Sequence, residues 1–438
     1  MDASRQSPVR FAQFELDPCR RVLRDGAGMP VALTSKAFDT LAVLVRERGR
    51  TVDKRALIAE VWPGRVVEDN NLNQAIAALR RVFATDAADR SFIVTVPGQG
   101  YRFVAQLHDD DGAGVDPRAF RAYLTGRYLV SRPDPSRLPE AVAAFHDAID
   151  LDPTYARAYA ALAFAYRAWC ITGDRAPLEV FPLARAAALQ ALLIDPRLVE
   201  AHAQKGFIEF WHDWDWARAE ATLDHAVALD PNHAEPRYAR AHLLNNLRRF
   251  PEAIDEIVRA HELDPLSPLI ATLHAGFLGY AGKLEEAHAR INQALELAPR
   301  FPPAWLHLGQ IEFERGDTAA AVEALEAGHR LTTSSQLSAM LGVAYTAAGR
   351  RDEAGQVLAA LQARAANAYV PPTSLAAIEA ALGHIDRALD LLEEAWRCRD
   401  VRLTFLAIDT RWRPLHGQPH FSDLAQRMQL PVGDLGPG

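Results

Sequence analysis

Apolar positions along this chain change period several times, and each change marks an element. Val9–Leu16, Arg21–Leu23 and Val31–Leu33 are short alternating or apolar stretches separated by Asp25-Gly26 and Gly28, which predicts brief strands joined by turns. The period then becomes helical. Thr34 stands where an N-cap belongs, ahead of a helix whose apolar face is Phe38, Leu41, Leu44 and Val45, with Gly49 as its stop. Asp53 is placed to cap a second helix, Lys54–Val61, that buries Leu57, Ile58 and Val61 and ends at Trp62-Pro63-Gly64. Leu72, Ile76, Leu79 and Phe83 set the buried stripe of a third. Phe92–Val96 and Tyr101–Val104 read as the arms of a hairpin turning through Pro97-Gly98-Gln99-Gly100, where glycine permits positive φ and close backbone approach.

The polar side of the third helix carries the candidate chemistry. At about 100° per residue, Asn70, Gln74, Ala77 and Arg81 fall opposite the buried stripe, with Asn73 and Arg80 on its shoulder. That face holds amides and guanidiniums and no carboxylate. Such groups read base edges and grip phosphates, so the helix is expected to enter a DNA groove. Other readings stand beside this one. Asn70 or Asn71 could simply cap the helix, and Arg80 and Arg81 could be solvated charges or partners of Asp86 and Asp89. Tyr101 and Phe103 are expected in the hairpin core.

A small sheet, three helices and a glycine-tipped hairpin make an α+β winged helix-turn-helix. LTSKAFDTLAVLV, GRTVDKRALIAEVWPG, IAALRRVF and IVTVPGQGYRF, in this order, resemble the OmpR/PhoB-type DNA-binding domain of bacterial response regulators, over nearly all of residues 8–106. The resemblance implies a third helix in the major groove and a wing on the adjacent minor groove or backbone. Carried over by position, Asn73, Gln74 and Ala77 would face bases. Arg80, Arg81 and Arg102 would meet phosphates or the minor groove, with Asn70 and Gln99 in the same DNA-binding set. Lys36 and Arg65 are further candidates for backbone contact. Typical members place a receiver domain first, whereas about seven residues precede the head here, so the head reads as a phosphorelay-type signal-transduction output domain whose control by an attached receiver is open. Another subset begins with the winged helix and continues into a membrane span and sensor (the CadC/ToxR type) or into helical repeats.

Residues 107–116, which include Asp109–Asp111 and Gly112, read as a flexible acidic linker. Beyond it the pattern repeats. Asp-Pro recurs at 152–153, 195–196, 230–231 and 264–265, then Ala298-Pro299, the last three intervals being close to 34 residues. One track of small residues runs through Ala141, Ala184, Ala219, Ala253, Ala287, Ala321, Ala354 and Ala388. A second runs seven residues behind through Ala148, Ala191, Ala226, Ala260, Ala294, Gly328 and Ala395, with Leu361 the exception. Trp305-x2-Leu308-Gly309 and Leu341-Gly342-x2-Tyr345 match the first-helix pattern of the tetratricopeptide repeat, which residues 117–400 resemble over about eight copies. An all-α solenoid is expected, its first repeat interrupted by Arg132-Pro133-Asp134-Pro135, with 401–438 as a short helical cap over the last repeat's exposed face and a tail. Such solenoids bind a protein or peptide along a concave groove. Phe210–Trp216 (FWHDWDW) reads either as an aromatic ligand platform or as packing within the third repeat.

Composition sharpens this picture. The net charge of −8 conceals an asymmetry: residues 8–106 hold 15 Lys/Arg against 11 Asp/Glu, or +4, leaving −12 elsewhere. A basic head on an acidic body suits a regulator with one DNA-binding module. No secretory h-region and no run of about 18 apolar residues is visible, so a cytoplasmic protein without a membrane partner is expected. Three dispersed cysteines, Cys19, Cys170 and Cys398, suit reduced thiols. No P-loop, nucleophile elbow or dinucleotide fingerprint occurs, and none of His202, His212, His225, His233 and His242 pairs as His-x3-His with an acidic neighbour, so no catalysis, cofactor or metal is expected. The sequence thus reads as a multidomain DNA-binding transcriptional regulator, binding double-stranded DNA as a homodimer on tandem sites. The alternative is an interaction scaffold whose winged helix docks without binding DNA.

Overall fold

A computed structural model describes residues 9–12, 14–18, 20–25, 29–63, 69–83, 92–105, 107–108, 115–131 and 134–431. It divides into two compact units, the first built on the chain up to Val115 and the second on the helices from Asp116 onward.

The head holds two antiparallel sheets and three helices. β1 (Val9–Phe11), β2 (Phe14–Asp17), β3 (Val22–Arg24) and β4 (Pro30–Val31) precede α1 (Ser35–Arg46). Then come β5 (Thr51–Asp53), α2 (Lys54–Val61), α3 (Asp69–Phe83), β6 (Ile93–Val96), β7 (Gly100–Phe103) and β8 (Leu107–His108). The strand orders are β4-β3-β2-β1-β8 and β5-β7-β6.

Three features depart from the sequence reading. Val9–Leu16 is a hairpin rather than one strand: Ala12 adopts φ 47° and Phe11 pairs with Phe14. The reason is aromatic packing. An unbroken strand would send residues 11 and 14 to opposite faces, whereas the turn brings both rings onto Phe83, at 5.7 and 5.2 Å between centroids. Thr51–Asp53, too short to show a period, forms a strand that pairs with β7, Val52 opposite Tyr101. Leu107–His108, read as linker, pairs with β1. Residues 109–114 of that linker lie outside the described residues, as do Arg65, Asp86, Asp89 and Cys19.

Local signals elsewhere hold. The Thr34 hydroxyl accepts from the Ala37 amide, and Asp53 accepts from the amides of Arg55 and Ala56, capping α1 and α2.

The second unit is a run of helix–turn–helix pairs, eight among the described residues. They are α4 (Pro117–Val130) with α5 (Leu138–Leu151), α6 (Ala156–Thr172) with α7 (Pro177–Ile194), α8 (Val199–Ile208) with α9 (Trp216–Leu229) and α10 (Ala234–Asn246) with α11 (Phe250–Leu263). Next come α12 (Pro268–Tyr280) with α13 (Leu284–Leu297), α14 (Pro302–Glu314) with α15 (Thr318–His329), α16 (Ser335–Ala347) with α17 (Arg351–Ala365) and α18 (Pro372–Ala381) with α19 (Ile385–Arg397).

The 34-residue tracks are the packing seams of these pairs. All eight alanines of the first track are fully buried. In the second, a Cβ added at Gly328 would lie 2.7 Å from Leu337 and 2.8 Å from Trp305, so the helices meet where no larger side chain fits. The aromatic segment also packs inward. Residues 209–213 form a π-turn, Trp214 takes φ 62°, and Phe210, Trp211, Trp214 and Trp216 are all buried.

The solenoid curves until its second and seventh pairs touch. Asp174, after α6, accepts hydrogen bonds of 2.9 and 2.8 Å from the Ser335 amide and hydroxyl and pairs with Arg364 at 2.8 Å. The C-terminal segment lies within that curve rather than over the last repeat alone. Two 3-10 turns (Val401–Phe405 and Thr410–Leu415) and α20 (Pro419–Arg427) bury Leu403, Leu406, Trp412, Leu415, Phe421 and Met428. Their contacts reach from the second helical pair to the sixth: Arg402 to the Ile171 carbonyl at 2.9 Å, Trp216 to the Met428 carbonyl at 2.7 Å and Arg413 to Glu314 at 3.0 Å. Phe405 meets the rings of His242 and Tyr280.

Among the described residues one helix, α7, is long and apolar enough to cross a membrane by length and composition, a feature the sequence reading did not credit. One side of it, through Val180, Phe181, Ala184, Ala188 and Ala191, is buried in the solenoid.

Candidate nucleic-acid interface

The site is built on a helix held from two sides. Leu72, Ala75, Ile76, Leu79 and Phe83 of α3 are buried in the head core, which turns Asn70, Asn71, Asn73, Gln74, Ala77 and Arg81 to solvent. This is the face the spacing predicted. Because α3 begins at Asp69, Asn70 and Asn71 lie in its first turn and neither is its cap.

α1 and α2 form the support. Arg46 and Glu60 join them at 2.6 Å, and the hydrogen bond from Arg46 holds the Glu60 carboxyl below its usual range. Lys36 Nζ donates to the Val61 carbonyl at 2.6 Å and lies 3.7 Å from Asp39. The Lys36 ammonium is therefore engaged at the C-terminal end of α2, with 44% of the side chain exposed. Its positive charge suits the exposed carbonyls there.

The wing packs against α3 through Arg80 and Tyr101, and is tied to β5 through Arg102. Arg80 donates from Nε and Nη2 to the Ile93 carbonyl at 3.1 and 2.8 Å, and from Nη2 to Thr95 Oγ1 at 2.8 Å. Arg102 reaches Thr51 Oγ1 from Nε at 3.0 Å and Nη2 at 2.6 Å, across the β5–β7 ladder. The Tyr101 hydroxyl donates to Asn73 Oδ1 at 2.7 Å. Arg80 and Arg102 thus act first as braces of the wing, their planar guanidiniums each placing two donors on the acceptors of neighbouring strands. Arg81 differs: its one contact on α3 is a 3.4 Å bond to the Ala77 carbonyl, and its side chain is exposed.

The wing tip exposes Pro97, Gly98 and Gln99. Gly98 (φ +71°) faces open space. Gly100 (φ +153°) does not, since a Cβ there would stand 2.0 Å from the Val52 carbonyl oxygen. Glycine is what allows β5 to pair with β7.

One feature was missed. Lys54 and Arg55 open α2 next to the Asp53 cap, a helix end where the dipole disfavours cations and welcomes phosphate. Two basic residues in an unfavourable first turn were the available signal. Among the described residues, no three His, Cys, Asp or Glu side chains cluster as metal ligands.

Residues 28–103 match the family described as transcriptional regulatory protein, C terminal. The chain is 31% identical over 110 residues to the transcriptional regulatory protein AruR of Pseudomonas aeruginosa, covering 24% of this chain and 44% of AruR. It is 37% identical over 102 residues to the transcriptional regulatory protein KdpE of Mycobacterium tuberculosis, covering 23% of this chain and 44% of KdpE. The chain therefore spans less than half the length of these relatives. Among solved structures, the APC/C hetero-tetramer Cut9-Hcn1 aligns with 90% of this chain and 83% of its own, at 14% identity and a TM-score of 0.49.

Proposed function

We propose, on the premise that residues 28–103 are an OmpR/PhoB-type domain joined to a tetratricopeptide-type solenoid, that this chain is a sequence-specific regulator of transcription. The head binds double-stranded DNA, with α3 in the major groove and the wing beside it. The observation that carries this reading is the exposed row Asn70, Gln74, Ala77 and Arg81, presented by a helix whose every other contact is structural. Asn73 and Gln74 read base edges, Arg81 and Arg55 grip phosphates, and Gln99 meets the groove from the wing tip. Arg80 and Arg102 keep the wing in register and approach phosphate only with their remaining N–H groups.

The body serves association rather than chemistry. Its interior, where a solenoid would hold a peptide, already holds residues 401–430 of the same chain, which favours contacts on the outer surface and self-association on tandem sites.

The test is capture of genomic fragments by the full chain, followed by gel shifts on the enriched duplex. Enrichment of a common sequence, lost with Gln74→Ala and Arg81→Ala together, is expected. Retrieval of no preferred sequence would return the winged helix to the role of a protein-docking module.

A further inference from the structure

We propose that the outer face of α7 is the surface through which two copies of this chain associate, crossing antiparallel about Ala186. The inference rests on the self-association put forward above and names its site. Among the described residues, nine large hydrophobic side chains are exposed, and four of them lie on this one helix: Leu178 (54%), Leu183 (48%), Leu189 (49%) and Leu193 (76%). The others are scattered along the chain, as exposed apolar residues ordinarily are.

The spacing points to a second copy of the same helix. Leu178, Pro182, Ala186, Leu189 and Leu193 follow one another at three- and four-residue steps, a single stripe on the helix. The stripe reads nearly the same in both directions. Leu178 and Leu193 stand eight and seven residues from Ala186, and Pro182 and Leu189 stand four and three. An isologous interface needs a surface complementary to itself under a two-fold rotation. An antiparallel crossing sets Leu178 against Leu193 of the second copy and Pro182 against Leu189, with the small Ala186 at the point of closest approach.

Charge favours protein over lipid here. The basic side chains near the stripe are already paired, Arg185 with Asp213 at 2.5 Å and Arg175 with Glu179 at 3.7 Å. A helix that lies on an anionic membrane instead carries free Lys and Arg along its polar face.

The experiment uses the full chain without DNA. Sedimentation velocity at micromolar concentration should show a dimer, and Ala186→Glu, which sets two carboxylates face to face, should weaken it by roughly 100-fold. Oxidation should cross-link Ala186→Cys. It should not cross-link Leu178→Cys alone, whose symmetry mate is about 23 Å away at 1.5 Å per residue, but should link a mixture of Leu178→Cys and Leu193→Cys. The wild-type chain controls for its native thiols. A monomer, a dimer indifferent to Ala186→Glu, or self-linking by Leu178→Cys overturns the proposal. So does a monomer that floats with phosphatidylserine vesicles through the same leucines. A gel shift on a single site separates the two readings: retained binding by Ala186→Glu leaves the DNA reading intact whatever the dimer does.

Discussion

The hydroxyl of Tyr101, on the central strand of the wing, donates a 2.7 Å hydrogen bond to Oδ1 of Asn73 on α3. Through it the wing decides how an exposed amide of α3, the one proposed to read bases, is presented. With its oxygen occupied, Asn73 keeps its amide N–H groups for an acceptor, and an acceptor is what several base edges offer in the major groove. Tyr101→Phe retains the buried ring and removes this constraint. The expected outcome is a loss of about 1 kcal/mol in stability and relaxed preference at one base position, with overall affinity for random duplex unchanged. Urea melts and a binding-site selection check it; unaltered preference would remove Asn73 from the reading residues.

Arg80 and Arg81 are neighbours with different work. Arg80→Ala breaks three hydrogen bonds to the wing and should cost roughly 1.5–3 kcal/mol in unfolding. Arg81→Ala should leave the melting curve in place and lower the slope of log K against log salt by about 0.9, one phosphate contact. Equal effects of both substitutions on both measurements would refute this division.

The two glycines of the wing should respond unequally to alanine. Gly100→Ala drives a methyl into the Val52 carbonyl and should destabilise the head by roughly 2–3 kcal/mol. Gly98→Ala meets only the cost of positive φ, about 1 kcal/mol. Denaturation of the full chain, followed through the transition of the head, separates them.

Burial of the C-terminal segment makes it part of the solenoid's core. Trp412 is 1% exposed, and Trp412→Ala should cost about 3–5 kcal/mol. Ending the chain after residue 400 should leave helical far-ultraviolet circular dichroism but abolish near-ultraviolet signal and bind ANS, as a core without its packing does. A truncated chain with native near-ultraviolet spectra would show the segment to be a detachable ligand.

His242 gives the body a pH dependence. It is buried among Phe207, Trp211, Phe277 and Phe405, and burial pushes its imidazolium down to about 3 from an ordinary 6.5. In the unfolded chain it protonates near 6.5, so the unfolded state binds the extra proton between these values. The stability it contributes is present above pH 6.5 and is lost as pH falls towards 3. His242→Phe should therefore reduce the slope of unfolding free energy against pH by about 1.4 kcal/mol per pH unit between pH 4 and 6. An unchanged slope would mean that His242 gains its proton in the folded state too.

Element types and their order were legible in the sequence because their causes are local. The stripe Leu72, Ile76, Leu79 and Phe83 fixes which side of α3 is buried and hence which side is exposed. The caps at Thr34 and Asp53 act on amides two or three residues away. The 34-residue alanine tracks persist because each helical pair needs the same small residue at the same seam. The Val9–Leu16 hairpin and the strand at Thr51 escaped notice, being shorter than the windows in which a period declares itself.

What only the tertiary structure decided is which polar side chains are free. Arg80 and Arg81 both fall on the polar side by spacing, one on its shoulder and one opposite the stripe, yet the first reaches a carbonyl 13 residues away and the second faces solvent. Arg102 is held by Thr51 across 51 residues, and the C-terminal segment finds its place through contacts such as Trp216 with Met428, 212 residues apart. A period records the neighbours a residue has along its own helix or strand. It carries no trace of a donor and acceptor brought together by the fold, and those non-local bonds determine which of the candidate side chains are left to meet DNA.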